Sequence, residues 1–187
     1  MSHALILPIL LPLVTGAGQL LLYRLPFGVQ RLMGIASTLG LVLLGLWALV
    51  MAGSGEYLLY HAGDWPAPFG IVLVLDRLSA IMLALTAVLG FCCLLYASSG
   101  ADRRGAHFHA LFQFQLAGLN GAFLTGDFFN LFVFFEILLI ASYALLLHGG
   151  GRARSRAGLP YVIINLASSA LFLIALGTLY GLTGTLN

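Results

Sequence analysis

The stretch Asp127-FFNLFVFFEILLIASYALL-Leu147 decides how this chain is read. A membrane-spanning helix needs about 20 mostly apolar residues at 1.5 Å rise each, and this run supplies them. Glu136 sits near its middle. Holding an ordinary carboxylic acid protonated at pH 7 costs about 3.7 kcal/mol. Inserting it charged at the centre of a bilayer costs about the same on insertion scales. An acid at that depth is therefore poised between two states, and a nearby cation tips it towards the ionised one. That is the property a proton-transfer or ion-coupling site needs. A structural ion pair with another helix is the blander alternative.

The rest of the chain is equally apolar. Of its 187 residues 61% are hydrophobic and only 7% charged, and the mean hydropathy is +1.05. A water-soluble domain carries about a quarter charged residues, so a soluble fold is excluded. Eight arginines and no lysine give a net charge of +2, too small and scattered for a nucleic-acid surface. Cys92 and Cys93 are adjacent in an apolar run and read as inert packing residues. The first apolar run has no basic residue before it and Arg24 after it, opposite to a cleavable signal, and is expected to be a retained helix.

Stretches of spanning length lie at about 4–23, 32–52, 78–98, 108–126, 128–147 and 159–183. They predict an all-α polytopic integral membrane protein with six transmembrane helices. Arg24 and Arg31 follow the first span, Arg103 and Arg104 the third, and Arg152, Arg154 and Arg156 the fifth. Only Arg77 falls on the other side. This asymmetry predicts that the three arginine-bearing connections are cytoplasmic and both termini extracytoplasmic. Glu56, Asp64, Asp76, Asp102 and Asp127 all lie in connections or at span ends, which leaves Glu136 as the only acid at depth.

Between spans two and three, EYLLYHAG and IVLVL flank the Pro/Gly-rich segment Asp64–Gly70. A small extracytoplasmic hairpin is expected there, with an interfacial segment anchored by Trp65 and Tyr60 as the alternative. Asp76 is placed to cap span three. Thr125-Gly126-Asp127 joins spans four and five so tightly that they must be antiparallel neighbours.

Span four carries His109, Gln113 and Asn120, which their spacing keeps within about 40° of one another. Spacing alone favours interhelical hydrogen bonding. A hydrated, proton-relaying stripe facing span five is the functional alternative. His109 is near the cytoplasmic end, where interfacial water is within reach. On span six, Asn165, Ser168 and Ser169 share a face, and Gly177 and Gly181 have G-x-x-x-G spacing. These residues read as packing positions, as do Gly118 and Gly121 on span four. Phe129, Phe132, Ile140 and Tyr143 share the Glu136 face and offer it no ion partner.

The segment Gly126-DFFNLFVFF-Glu136 resembles the fifth-helix signature of the antiporter-like membrane subunits. That superfamily includes the proton-pumping subunits of respiratory complex I, subunits of membrane-bound hydrogenases and the Mrp-type sodium/proton antiporters. The segments Gly63-DWPAPFG-Ile71, Phe108-HALFQF-Gln115, Leu145-LLHG-Gly150 and Leu179-YGLTGTL-Asn187 resemble the D-type subunit of the multisubunit Mrp antiporters. The resemblance implies a fold of about fourteen helices with two inverted five-helix repeats, helices four to eight and nine to thirteen. Residues 1–187 would then be a single membrane domain in which helices one to three, about 4–98, lead into helices four to six of the first repeat, about 108–183.

The resemblance further implies that Glu136 pairs with a lysine on helix seven and passes protons along a buried axis towards lysines on helices eight and twelve. This chain departs from that pattern, because it ends after helix six and has no lysine. Pro160, at the expected start of helix six, is a smaller departure and harmless in a first turn. Three functions follow as expectations. The first is the N-terminal portion of a monovalent cation/proton antiporter subunit, a transporter component rather than an enzyme. The second is a proton-pumping membrane subunit of an NADH:quinone oxidoreductase or hydrogenase. The third is a truncated assembly subunit that transports nothing alone. In all three Glu136 is the expected coupling acid. His109, Gln113, Asn120, Tyr143 and Asn165 are the polar residues of the proton path or of helix contacts. The expected setting is the cell inner (plasma) membrane, with the lipid bilayer, other complex subunits, protons and Na+ or another monovalent cation as partners. No cofactor, metal or nucleic acid is expected, since no flavin, haem, iron–sulfur or nucleotide motif is present.

Overall fold

The computed structural model describes residues 3–55, 57–65 and 70–187. Six α-helices are found among them: α1 (Leu7–Leu21), α2 (Phe27–Ala52), α3 (Arg77–Ala97), α4 (Phe108–Leu124), α5 (Phe128–Leu146) and α6 (Arg152–Thr183). Five are long and apolar enough to cross a membrane, the first counted from His3 through the 3-10 turn that precedes α1. The exception is α4. It was expected to span 108–126, but it has 17 residues because Thr125 turns extended to meet the neighbouring strand. At 1.5 Å per residue α4 is about 25 Å long, short of a hydrocarbon core of about 30 Å.

The connection between α2 and α3 forms the expected hairpin. Strands β1 (Leu58–His61) and β2 (Val72–Leu75) pair antiparallel, with Leu58 opposite Leu75 and His61 opposite Val72. Glu56 and the Pro66–Phe69 part of the turn lie outside the described residues. Val72, Leu73 and Leu75 are buried, and Gly126 N–H donates to Val72 O at 2.8 Å. The hairpin therefore seals the α4–α5 turn. Asp76 caps α3 by accepting from Ser79 N–H at 2.7 Å, and Asp127 caps α5 by accepting from Asn130 N–H at 2.8 Å.

Small residues set the helix packing. A Cβ on Gly16 would meet Ala110 O at 3.1 Å, one on Gly45 would meet Ala84 Cα at 2.9 Å, and one on Gly90 would meet Leu116 at 2.9 Å. These contacts join α1 to α4, α2 to α3 and α3 to α4. Gly118 lies against Leu138, where a Cβ would come within 2.7 Å of its backbone nitrogen, and Gly121 lies under the Phe134 ring. Both expected packing glycines of span four thus set the approach of α5. Gly177 and Gly181 have nothing within 4 Å of their Cβ positions among the described residues, so their expected packing role finds no neighbour here.

Two further expectations are corrected. Helix α6 begins at Arg152, a full arginine-bearing section earlier than the apolar run, so Pro160 lies inside it. The apolar run marks only the part that lipid requires, and the helix continues past it into polar surroundings. Pro160 has no N–H, which frees the Arg156 carbonyl from its helical bond. Cys92 and Cys93 are exposed on α3 rather than packed inside. The inward face of α3 is Ala80, Leu83, Ala87, Gly90 and Leu94, and the cysteines fall off that stripe.

The chain's two ends differ in chemistry. At one end the hairpin, the α4–α5 turn and the end of α6 meet, with Phe128 N–H bonded to Leu186 O at 2.9 Å. At the other, the three arginine-bearing connections converge. Arg31 bonds Asp102, Arg103 approaches Phe27, and His148 Nε2 lies 3.2 Å from Ala101 O.

Candidate functional site

Glu136 lies in the middle of α5, and helical periodicity fixes what surrounds it. Phe134 and Leu138 face α4 through Gly121 and Gly118, and Ala141 falls on the same side and is buried. Phe132 and Phe135 turn towards α6, each against Phe172, with ring centroids 6.2 and 6.3 Å apart. At about 100° per residue, Glu136 points to the side of α5 opposite α4, beyond the edge of the α6 contact. The side chain is half-buried, and its Oε1 is shielded and without a hydrogen-bond partner among the described residues. A shielded, unpaired carboxyl oxygen is costly, so its setting calls for a partner.

Two of the other expected residues lie on α5 and α6, nearer the arginine end than this acid or across the helix pair from it. Tyr143 is two turns further along the same face, towards the arginine end, and its ring meets Tyr161 edge-on at 5.8 Å. Asn165 lines a cleft of about 250 Å³ between α5 and α6 with Phe132, Phe135, Leu139, Ser168, Ser169 and Phe172. Its Nδ2 donates to Tyr161 O at 2.8 Å, and Ser168 Oγ donates to Ile164 O at 2.9 Å. Both amide and hydroxyl are thus spent on their own helix, a common resting place for polar side chains in apolar surroundings. Glu136 is not among the residues lining the cleft.

His109, Gln113 and Asn120 share one face of α4, but that face meets α1, α2 and the 98–107 connection rather than α5. The stripe towards span five, the alternative to interhelical hydrogen bonding, is therefore not formed. The glycines of α4 occupy the α5 side, so the polar side chains fall on the opposite one. Gln113 Nε2 donates to Gly34 O at 3.1 Å and its Oε1 accepts from Ser37 at 3.0 Å. Asn120 Nδ2 donates to Pro8 O at 2.7 Å. That bond has a local cause. Pro12 has no N–H to give Pro8 four residues back, so Asn120 supplies the missing donor. His109 is 1% exposed and sits beneath Asp102, so it does not reach interfacial water.

The Asp102 cluster was not foreseen. Asp102 is fully buried, with Arg31 Nη2 2.8 Å from Oδ2 and His109 Nε2 3.2 Å from the same oxygen. Asp102 read as one more acid in a connection, and Arg31 as one more positive charge. Their separation by 71 positions leaves no local pattern to pair them. Within the described residues no group of three or more His, Cys, Asp or Glu side chains is arranged to hold a metal.

Comparison with known proteins gives the same picture as the fold. Residues 125–187 match the family described as NADH:quinone oxidoreductase/Mrp antiporter, TM. The whole chain is 52% identical to the D-type subunit of a probable K(+)/H(+) antiporter of Rhizobium meliloti and covers 36% of it. It is 41% identical to the D-type subunit of a Na(+)/H(+) antiporter of Alkalihalophilus pseudofirmus and covers 38% of that protein. Among solved structures, a chain of the Mrp complex from Dietzia sp. DQ12-45-1b superposes with a TM-score of 0.91 at 30% identity, over all of this chain and 36% of that one. The chain therefore spans little more than a third of the relatives it matches. Over that span it is similar to the D-type subunits of cation/proton antiporters, and its residues 125–187 match the family that the Mrp antiporters share with NADH:quinone oxidoreductase.

Proposed function

We propose that this chain supplies the first half of a transmembrane proton path in a monovalent cation/proton antiporter, with Glu136 as the coupling acid. The observation that carries the reading is the shielded, unpartnered Oε1 at mid-helix, turned away from α4. An acid in that setting changes its charge when a cation approaches or leaves, which is how a proton step couples to a second event. The cation comes from outside residues 1–187, which contain no lysine and place all eight arginines in connections or at helix ends. Tyr143, on the Glu136 face, is the first relay candidate towards the arginine end, and Asn165 stands beside it on α6.

In this reading, residues 4–98 are the lead-in helices and 108–183 begin the first inverted repeat. All six helices cross the membrane, α4 with help from its flanking residues. The arginine end faces the cytoplasm and both termini face outward, in the cell inner membrane. The exchanged ion is K+ or Na+, in keeping with the names of the two relatives. The further subunits of a multisubunit complex are its partners.

The test is Glu136→Gln in the complete complex. Exchange is expected to fall by about 100-fold or more, the scale of a lost acid–base group, while the subunits still co-purify. Exchange at the wild-type rate would overturn the reading. The matched family also includes NADH:quinone oxidoreductase, which supports a second reading in which the same acid serves a redox-driven pump. Flavin and iron–sulfur absorbance in the purified complex would favour that reading. Cation-dependent exchange without such absorbance favours the antiporter.

A further inference from the structure

The largest buried ionic cluster among the described residues lies far from Glu136, at the arginine end of the α1–α4 bundle. Asp102 belongs to a 3-10 turn, Ala101–Arg103, in the connection from α3 to α4. Arg31 Nε and Nη2 each donate to one of its oxygens at 3.0 Å, and His109 Nε2 takes a further position on Oδ2 at 3.2 Å. Phe27 lies under Arg31 at 5.3 Å and Arg103 at 5.5 Å, and it walls the imidazole together with Phe108. One carboxylate thus ties the start of α2, the 98–107 connection and the first turn of α4.

The other side of the imidazole is unfinished. His109 Nδ1 is buried with no partner, and it lies 3.2 Å from the Cβ position of Gly34. The Gln19 amide nitrogen approaches the same point at 3.6 Å. Gln19 Nε2 donates to Gln30 O at 2.9 Å, which leaves its Oε1 buried and unpartnered too. The unsatisfied ring nitrogen and the Gln19 amide group thus approach one glycine from two sides. Buried polar atoms normally find partners, and a second proton on the ring would turn Nδ1 from an unpaired acceptor into a donor close to the Gln19 amide.

We propose that His109 is a proton-binding site separate from Glu136, and that its proton load opens and closes the Asp102 clasp. With a neutral ring, Nε2–H donates to Asp102, and Arg31 and Asp102 balance each other's charge. A proton at Nδ1 adds an uncompensated positive charge to a buried site that already has Arg31 beside it. It also draws Gln19 Oε1 away from its present pose, against the Gln19–Gln30 bond that links α1 to α2. Both effects favour a loosened cluster that admits water. The charged and titratable groups around His109 are Asp102 from the connection, with the exposed Arg103 beyond Phe27, Arg31 from α2, and His148 across Phe108 from the α5–α6 connection. From α1 and α3, Gln19 and Leu94, which carry no charge, approach the same Gly34 position as the ring.

The experiment is hydrogen exchange of the backbone amides of 98–107 in the assembled complex, from about pH 8 to pH 5, corrected for intrinsic rates. In the wild type, protection is expected to fall at least about fivefold on acidification, the signature of a local opening. Protection that stays constant overturns the proposal. His109→Gln keeps a donor for Asp102 but does not titrate, and is expected to give a flat profile. A wild-type profile in that variant assigns the titration to another group and also overturns the proposal. Should His109→Gln fail to assemble, Gln19→Met serves instead. It removes the acceptor and is expected to move the midpoint to lower pH, and an unmoved midpoint counts against the mechanism. The readout is protection rather than transport, so it stands whether or not Glu136 couples exchange.

Discussion

The α1–α4 bundle and the α5–α6 pair are built from similarly apolar helices but treat their polar groups in opposite ways. In the bundle, Gln19, Ser37, Asp102, His109, Gln113 and Asn120 are buried, and each reaches a group on another segment. In the pair, Asn165, Ser168, Thr178 and Thr183 bond the backbone of their own helix, and the Glu136 Oε1 has no hydrogen-bond partner among the described residues. Only 6% of the spanning window is buried in α5 and in α6, against about a third in α1 and α2. The difference teaches when a polar residue in a membrane helix is structural. It is structural where a neighbouring backbone lacks a donor or an ion lacks its counter-ion, as at Pro8 and Asp102. Where no such demand exists among the described residues, as at Glu136, the side chain is left without a partner. Much of the length of the chain's relatives lies outside the match, and the open side of α5 and α6 is where such length would pack.

The sharpest way to break this comparison is to exchange the two kinds of effect. Glu136→Gln is expected to abolish transport as described above while leaving thermal stability of the purified complex unchanged. A large fall in melting temperature would class Glu136 with the structural residues. Asp102→Ala is the converse. It leaves a half-buried Arg31 without its counter-ion and a buried His109 without its acceptor, at a cost of about 3 kcal/mol, visible as a lower unfolding temperature. A neutral result would mean that the clasp does not hold the bundle. Gly118→Ala places a Cβ 2.7 Å from Leu138 N and is expected to cost about 1–3 kcal/mol by overpacking, while Gly181→Ala meets open space and is expected to be near neutral. Equal penalties in the two variants would mean that the open side of α6 is covered. The smallest effect is that of Asp76→Ala at the α3 cap, about 1 kcal/mol at neutral pH. The Ser79 N–H bond holds the Asp76 carboxyl below its ordinary value of 3.8. The stabilisation is therefore complete above that value and fades as the pH falls below it, so wild type and variant should converge in acid.

Much of this architecture was legible from local pattern. The apolar runs located every helix, β-prone segments around Pro and Gly marked the hairpin, and Asp76 stood where a cap was needed. Gly118 and Gly121 were readable as points of helix approach. The misreadings share a cause, which is that a local pattern stops where a neighbour takes over. Thr125 left α4 early to pair with Leu73, and α6 ran on through Pro160 because the arginines before it remain helical outside the apolar run. The partner of Asp102 lies 71 positions away, beyond the reach of any periodicity.

By itself the sequence determined that this chain is a set of apolar helices with its arginines in the connections and at helix ends and one acid at mid-depth. Run length and the position of a charge along a run are local quantities, so no fold is needed to read them. Only the tertiary structure decided what each polar face meets. Helical periodicity groups His109, Gln113 and Asn120 on one side of α4, but it is silent about which helix stands opposite. The glycines chose that neighbour: by admitting α5 on their own side, they turned the polar face towards α1, α2 and Asp102. On α5, the same contact left Glu136 pointing outward, unpaired.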